Sequence, residues 1–135
     1  MRTVHILHRQ YIRSCVFKDS FDKELKRMDK DKSLKKSNSE KLMIDPIGVF
    51  MCAWYAFLYS VIEGLKGRDV KVDFAPTLDS ELEGILKGFR NAVFHSPSDY
   101  WDKRLIALFA AADAGRKIRK VHQEIGDAFL KRYKS

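Results

Sequence analysis

The stretch Asp45-Pro46-Ile47-Gly48-Val49-Phe50-Met51-Cys52-Ala53-Trp54-Tyr55-Ala56-Phe57-Leu58-Tyr59-Ser60-Val61-Ile62 carries no charge after its first residue, and the rest of the chain has to pack around it. Pro46 suits the first position of a helix, where its missing N–H is no loss. Ile47, Phe50, Met51, Trp54, Phe57, Leu58, Val61, Ile62 and Leu65 recur three and four apart as a wide apolar stripe, with Tyr55 and Tyr59 as a second row beside it. Pro46 to Ile62 is 17 residues, whereas a transmembrane span takes about 20 mostly apolar ones. The run therefore reads as a core helix, buried on most of its circumference against other helices or a second subunit, and closed by Gly64 and Gly67.

The flanking sequence is helical too. Val4, Leu7, Tyr11, Ile12 and Cys15, then Phe21, Leu25 and Met28, keep the three-and-four spacing of one helix face and predict a helix from about residue 3 to 30. Residues 30–40 lose all periodicity and are rich in Ser and Lys, which predicts a mobile basic loop. Leu82, Ile85, Leu86, Phe89 and Val93 predict a third helix, capped by Thr77 or Asp79 and ended near His95 by Pro97. Ser96-Pro97-Ser98-Asp99 reads as a new helix start. The helix it opens carries Leu105, Leu108, Phe109, Ala112, Ile118, Val121, Ile125, Phe129 and Tyr133 on one stripe, with a bend at Gly115. With three prolines, seven glycines and no long period-2 run, the prediction is one all-α domain over residues 1–135. Its expected form is an antiparallel four-helix bundle with a long, kinked last helix.

The 135 residues carry a net charge of +8. Residues 1–41 hold 12 Lys/Arg against 6 Asp/Glu, residues 42–100 hold 5 against 8, and residues 101–135 hold 9 against 4. The surplus at both ends favours a polyanionic partner, most simply nucleic acid, and less a membrane surface. Cys15 and Cys52 lie in apolar stretches without CxxC spacing and read as two reduced core thiols, with one buried disulfide as the alternative. Met1 to His8 is too short and interrupted for a signal peptide. A soluble, cytoplasmic protein is expected.

Chemistry concentrates in Gly88-Phe89-Arg90-Asn91-Ala92-Val93-Phe94-His95-Ser96-Pro97. Arg90 is permanently cationic and forks onto phosphate oxygens; His95 is able to give or take a proton near neutral pH. Asn91 and His95 stack one turn apart, Arg90 lies about 100° round the helix from Asn91, and none is needed for the core stripe. The bland alternative is a helix-terminal histidine on the last carbonyls, with Arg90 in a surface ion pair. Tyr100 and Trp101 follow, and either stack on a base or pack on the neighbouring helix. Lys103 and Arg104, with Arg116, Arg119 and Lys120 on the solvent face of the last helix, either contact phosphates or are simply solvated.

The segment Phe89 to His95, followed by Tyr100-Trp101-Asp102-Lys103-Arg104-Leu105, resembles the signature of HEPN domains. The run Trp54 to Gly64 resembles their long apolar helix, and the likeness spans roughly residues 45–130. It implies a small helical bundle acting as a metal-independent endoribonuclease, in toxin–antitoxin, defence or RNA-processing systems. In that chemistry the ribose 2′-hydroxyl attacks the adjacent phosphate and leaves a 2′,3′-cyclic phosphate. The resemblance casts His95 as the proton-transfer residue, Arg90 as the phosphate holder, and Asn91 as orienting His95 or donating to phosphate. It also implies a homodimer that pairs two motifs, and an antitoxin or nucleotidyltransferase partner. Many members of the group only bind RNA or protein, and a non-catalytic adaptor is the rival expectation.

No other chemistry is nominated. His5 and His8 lack acidic or cysteine partners for a metal, no Glu-x-x-His occurs, and GxGxxG, P-loop, HExxH and GxSxG patterns are missing. No metal or cofactor is expected.

Overall fold

The computed structural model describes residues 2–30, 46–67, 74–94 and 113–134, and every regular element among them is an α-helix. These are α1 (Arg2–Lys30), α2 (Pro46–Lys66), α3 (Ser80–Phe94) and α4 (Ala114–Lys134). The all-α class follows from the sequence periodicity. The segment around residues 31–40, expected as a loop, and the expected helix start at Ser96 lie outside the described residues.

α2 is the central element. Trp54, Leu58, Val61 and Ile62 have no exposed surface, and Tyr55 and Tyr59 are also buried. Leu7 of α1, Leu82, Leu86 and Phe89 of α3, and Ile118, Val121, Ile125 and Phe129 of α4 complete a single apolar core. Each of the large side chains there contributes roughly 1.5–3 kcal/mol by leaving water. By length and composition α2 would also pass as a membrane span; here its Trp54, Leu58, Val61 and Ile62 are buried against the other helices, while Val49 is exposed.

Specific pairs fix how the helices run. Leu7 lies against Gly64, Phe17 stacks on Phe57 at 5.6 Å, and Phe21 meets Trp54 at 5.6 Å, so residue numbers rise along α1 as they fall along α2. Lys66 pairs with Glu83 and Tyr55 meets Phe89, which gives α3 the opposite sense to α2. His8 meets Phe129 at 5.3 Å while Asp22 binds Arg119 at 2.6 Å, so α4 also runs opposite to α1.

The boundaries have local causes. Asp79 caps α3, its Oδ1 accepting the N–H of Leu82 at 2.7 Å. Thr77, the other candidate cap, instead donates its N–H and hydroxyl to the Glu124 carboxylate at 3.0 and 2.9 Å, tying the turn before α3 to α4. Gly64 does not close α2. It lies within the helix, where a Cβ would collide with Leu7; Gly67 follows the last helical residue. Next to the expected bend at Gly115, α4 begins at Ala114. Asp113 has φ 60°, a left-handed conformation that a right-handed helix does not run through, and its carbonyl accepts the N–H of Lys117 at 3.0 Å as α4 begins.

Gly126 is a close-approach glycine. Its bare Cα admits the Tyr11 ring, whose hydroxyl donates to the carbonyl of His122 at 3.0 Å. Gly126→Ala gains up to about 1 kcal/mol of helix propensity but expels that hydroxyl, and a net destabilisation of about 1–2 kcal/mol is expected. Gly115→Ala meets nothing within 4 Å and should be neutral or stabilising. Denaturant unfolding of the two variants separates close approach from propensity.

Candidate functional site

Arg90 and Asn91 lie near the C-terminal end of α3, beside the end of α2. The guanidinium sits 4.6 Å over the ring of Tyr59. Its Nη1 pairs with Glu63 at 3.2 Å, and Nε and Nη2 both donate to Asn91 Oδ1, at 3.3 and 3.1 Å. The Arg90 side chain is 19% exposed and that of Glu63 is 56% exposed. A delocalised cation is thus clamped on an aromatic face by a neutral acceptor, while its counter-charge stands in water. Burial, with the Glu63 charge, raises the Tyr59 hydroxyl, which keeps it protonated and neutral beneath the guanidinium.

Asn91 was expected to orient His95 or to donate to phosphate; among the described contacts its oxygen accepts from Arg90, and its amide NH2 is not part of that contact. Glu63 and Tyr59 are site residues that the motif did not nominate. The signal was present in α2, where Tyr59 and Glu63 stand one turn apart on the same face, but only the packing of α3 shows what they meet. His95, Tyr100, Trp101, Lys103 and Arg104 lie outside the described residues.

The expected basic face of α4 divides. Arg116 and Lys120 are exposed, and Arg116 forms a loose pair with Asp113 at 3.4 Å. Arg119 lies at the margin of that face, its side chain 38% exposed. It donates to Asp22 at 2.6 Å and lies over the rings of Phe21 and Trp54, at 5.7 and 5.3 Å. Lys18 completes the group at 3.0 Å from Asp22. Burial alone would raise the Asp22 carboxyl; hydrogen bonds from Arg119 and Lys18 outweigh it and hold the group below its ordinary value. Arg119 is therefore a strut between α1 and α4.

A second polar cluster lies inside the helices. His122 is 5% exposed. Its Nδ1 accepts the indole N–H of Trp54 at 3.1 Å, and its Nε2 faces Cys15 Sγ at 3.5 Å. An indole nitrogen only donates, so the neutral imidazole carries its proton on Nε2. Burial, aided by Lys18, lowers His122 to about 4, and burial raises the Cys15 thiol. Both members of the pair are neutral near pH 7, and the tautomer gives His122 no free lone pair toward the sulfur. The arrangement is a buried tie, unlike an activated thiolate–imidazolium pair. Cys52, pushed up to about 11 by burial, is likewise unreactive. Both cysteines are free and half-buried, which sets aside the disulfide alternative and places them at the margin of the core. Among the described residues no group of three or more His, Cys, Asp or Glu is placed to hold a metal ion.

No family model matches the chain, and neither a curated protein nor a solved structure matches it. The likeness to HEPN domains rests on the motif residues themselves.

Because the folded protein resists protonating His122, its stability should fall as pH drops. In the unfolded chain the imidazole titrates near 6.5, in the fold at about 4. Above 6.5 it is neutral in both states and costs nothing. Between 6.5 and 4 only the unfolded state takes the proton, and on the order of 2–3 kcal/mol is lost across that window. The Asp22 contribution disappears only at lower pH, as its depressed carboxyl protonates. His122→Asn, whose Oδ1 can still accept from Trp54, should lower stability at pH 7 yet flatten the slope between pH 6.5 and 4. Thermal unfolding across that range measures both; an unchanged slope would contradict the assignment.

Proposed function

We propose that this chain is a metal-independent endoribonuclease of the HEPN type, acting on single-stranded RNA as a homodimer. The observation that carries the proposal is the state of Arg90. It is held in a fixed orientation by Tyr59 and Asn91, and its counter-ion among the described residues is one solvent-exposed carboxylate. A phosphate is able to replace Glu63 without any rearrangement of the guanidinium, which is the preorganisation that electrostatic catalysis requires. Arg90 holds the scissile phosphate and opposes the charge that builds on its oxygens. His95, five positions on, accepts the proton of the 2′-hydroxyl as its oxygen attacks phosphorus. The departing 5′-oxygen takes a proton from the His95 of a second copy, since one imidazole does not easily serve as base and acid in the same step. Arg116 and Lys120 offer further phosphate contacts. An antitoxin or nucleotidyltransferase partner and a cytoplasmic setting belong to the same reading.

A second reading is favoured by a specific feature. The contacts of Arg90 with Glu63, Asn91 and Tyr59 are also what a purely structural latch between α2 and α3 would make. The domain would then be a helical module that binds RNA or protein without cutting.

The two are separated by incubating the purified chain with varied single-stranded RNAs in excess chelator. Fragments ending in 2′,3′-cyclic phosphate are expected; His95→Ala should remove cleavage at unchanged helicity, and Arg90→Lys should reduce it at least tenfold, because an ammonium cannot reproduce the fork. Glu63→Gln removes the competing anion. Its cost in stability should be under about 1 kcal/mol, as for other exposed ion pairs, while RNA affinity should rise. Intact RNA with wild type, together with a Glu63→Gln variant that loses stability and gains no RNA affinity, would favour the latch.

A further inference from the structure

Several cations of the described residues have ion-pair partners: Lys18 and Arg119 with Asp22, Arg27 with Glu24, Lys66 with Glu83, Arg90 with Glu63, Arg116 with Asp113. On the outer face of α1, basic and apolar side chains stand exposed together. Arg9, Arg13 and Lys23 are exposed there, and no ion pair engages them among the described residues. Arg9 and Arg13 are spaced three and four apart with Ile12 and Val16, which are 48% and 57% exposed, and Lys23 lies two turns beyond Val16 on the same face. Ile6, 52% exposed, flanks them. These positions lie opposite the inner row of Leu7, Tyr11, Ser14 and Phe21, which packs on α2 and α4. From Arg9 to Lys23 the face runs about 21 Å. A helix that had only to cover a core would carry polar residues at Ile12 and Val16, where water now meets two adjacent β-branched side chains.

We infer that this face docks an acidic amphipathic helix of a partner protein, its leucine-like residues seated on Ile12 and Val16 and its carboxylates between Arg9, Arg13 and Lys23. Charge complementarity selects the occupant. A second copy laid face to face would set arginine against arginine, with Asp19 as the main acidic residue nearby. A single-stranded nucleic acid needs aromatic platforms for its bases, and this face presents aliphatic side chains instead. A helix laid into place by apolar contacts three and four apart, with opposite charges at its margins, uses every exposed feature of the face. The inference is separate from RNA cleavage: the face lies on α1, and neither Arg90 nor His95 takes part.

The test uses the full chain and two synthetic amphipathic peptides of about 20 residues with the same leucine spacing, one flanked by glutamates and the other by lysines. Titration calorimetry should show binding of the glutamate peptide alone. Binding should weaken about tenfold or more in each of two double variants, Ile12→Ser/Val16→Ser and Arg9→Glu/Arg13→Glu. All four positions are exposed, so circular dichroism should be unchanged. The inference is overturned if the glutamate peptide does not bind, if both peptides bind alike, or if either double variant binds as wild type does. It is also overturned if an oligonucleotide or vesicles rich in an anionic phospholipid bind this face, with loss in the arginine variant and none in the Ile12/Val16 variant. RNA cleavage should persist in both variants, so failure here leaves the nuclease reading to its own assay.

Discussion

Trp54 is the constraint around which the described helices are arranged. Its side chain has no exposed surface, and its indole N–H cannot be left without an acceptor at that depth. The acceptor is His122 on α4, and the same ring faces Cys15 on α1. Tyr11 adds a hydrogen bond to the His122 backbone, which is possible only because residue 126 has no side chain. Three helices are thereby keyed to one another by directional contacts within a core that is otherwise non-directional. A slip of α4 by one turn along α1 would orphan the indole, the imidazole and the phenol together.

Above this tie lies a lid of charge. Asp22 receives Lys18 and Arg119, and both cations lie near the Trp54 ring. The carboxylate is stabilised by two donors, which offset the cost of partly burying it. The consequence for His122 is electrostatic as well as steric: with Lys18 and Arg119 close by, a third positive charge in the same place is opposed. Acid sensitivity is thus built into the packing, on residues other than Arg90 and Asn91.

Arg90 illustrates how an isolated motif acquires context. In the sequence it is a cation at the end of a helix. In the fold it is oriented by a neighbour on its own helix and by two residues of α2, so the candidate site spans two elements that only tertiary structure brings together. Arg119 shows the reverse. Spacing placed it with Arg116 and Lys120 on a solvent face, but it sits at the edge of the stripe, where α1 supplies a carboxylate and α2 an aromatic face. A long guanidinium at such an edge can turn either way, and the neighbour decides.

What the sequence by itself determined was the all-α class of the described residues. The apolar periodicity of α2, the face of α1, Pro46 at a helix start and an acidic cap before α3 are local signals, governed by backbone sterics and by which side chains avoid water. The Arg90-Asn91 pair and its place near a helix end were legible for the same reason. Tertiary structure alone decided the partners: Trp54 with His122, Tyr11 over Gly126, Arg119 with Asp22, and Arg90 with Glu63 and Tyr59. Each joins or orients residues according to which faces meet. That depends on how the described amphipathic helices share the burial of their apolar faces, a sum that no local stretch of sequence contains.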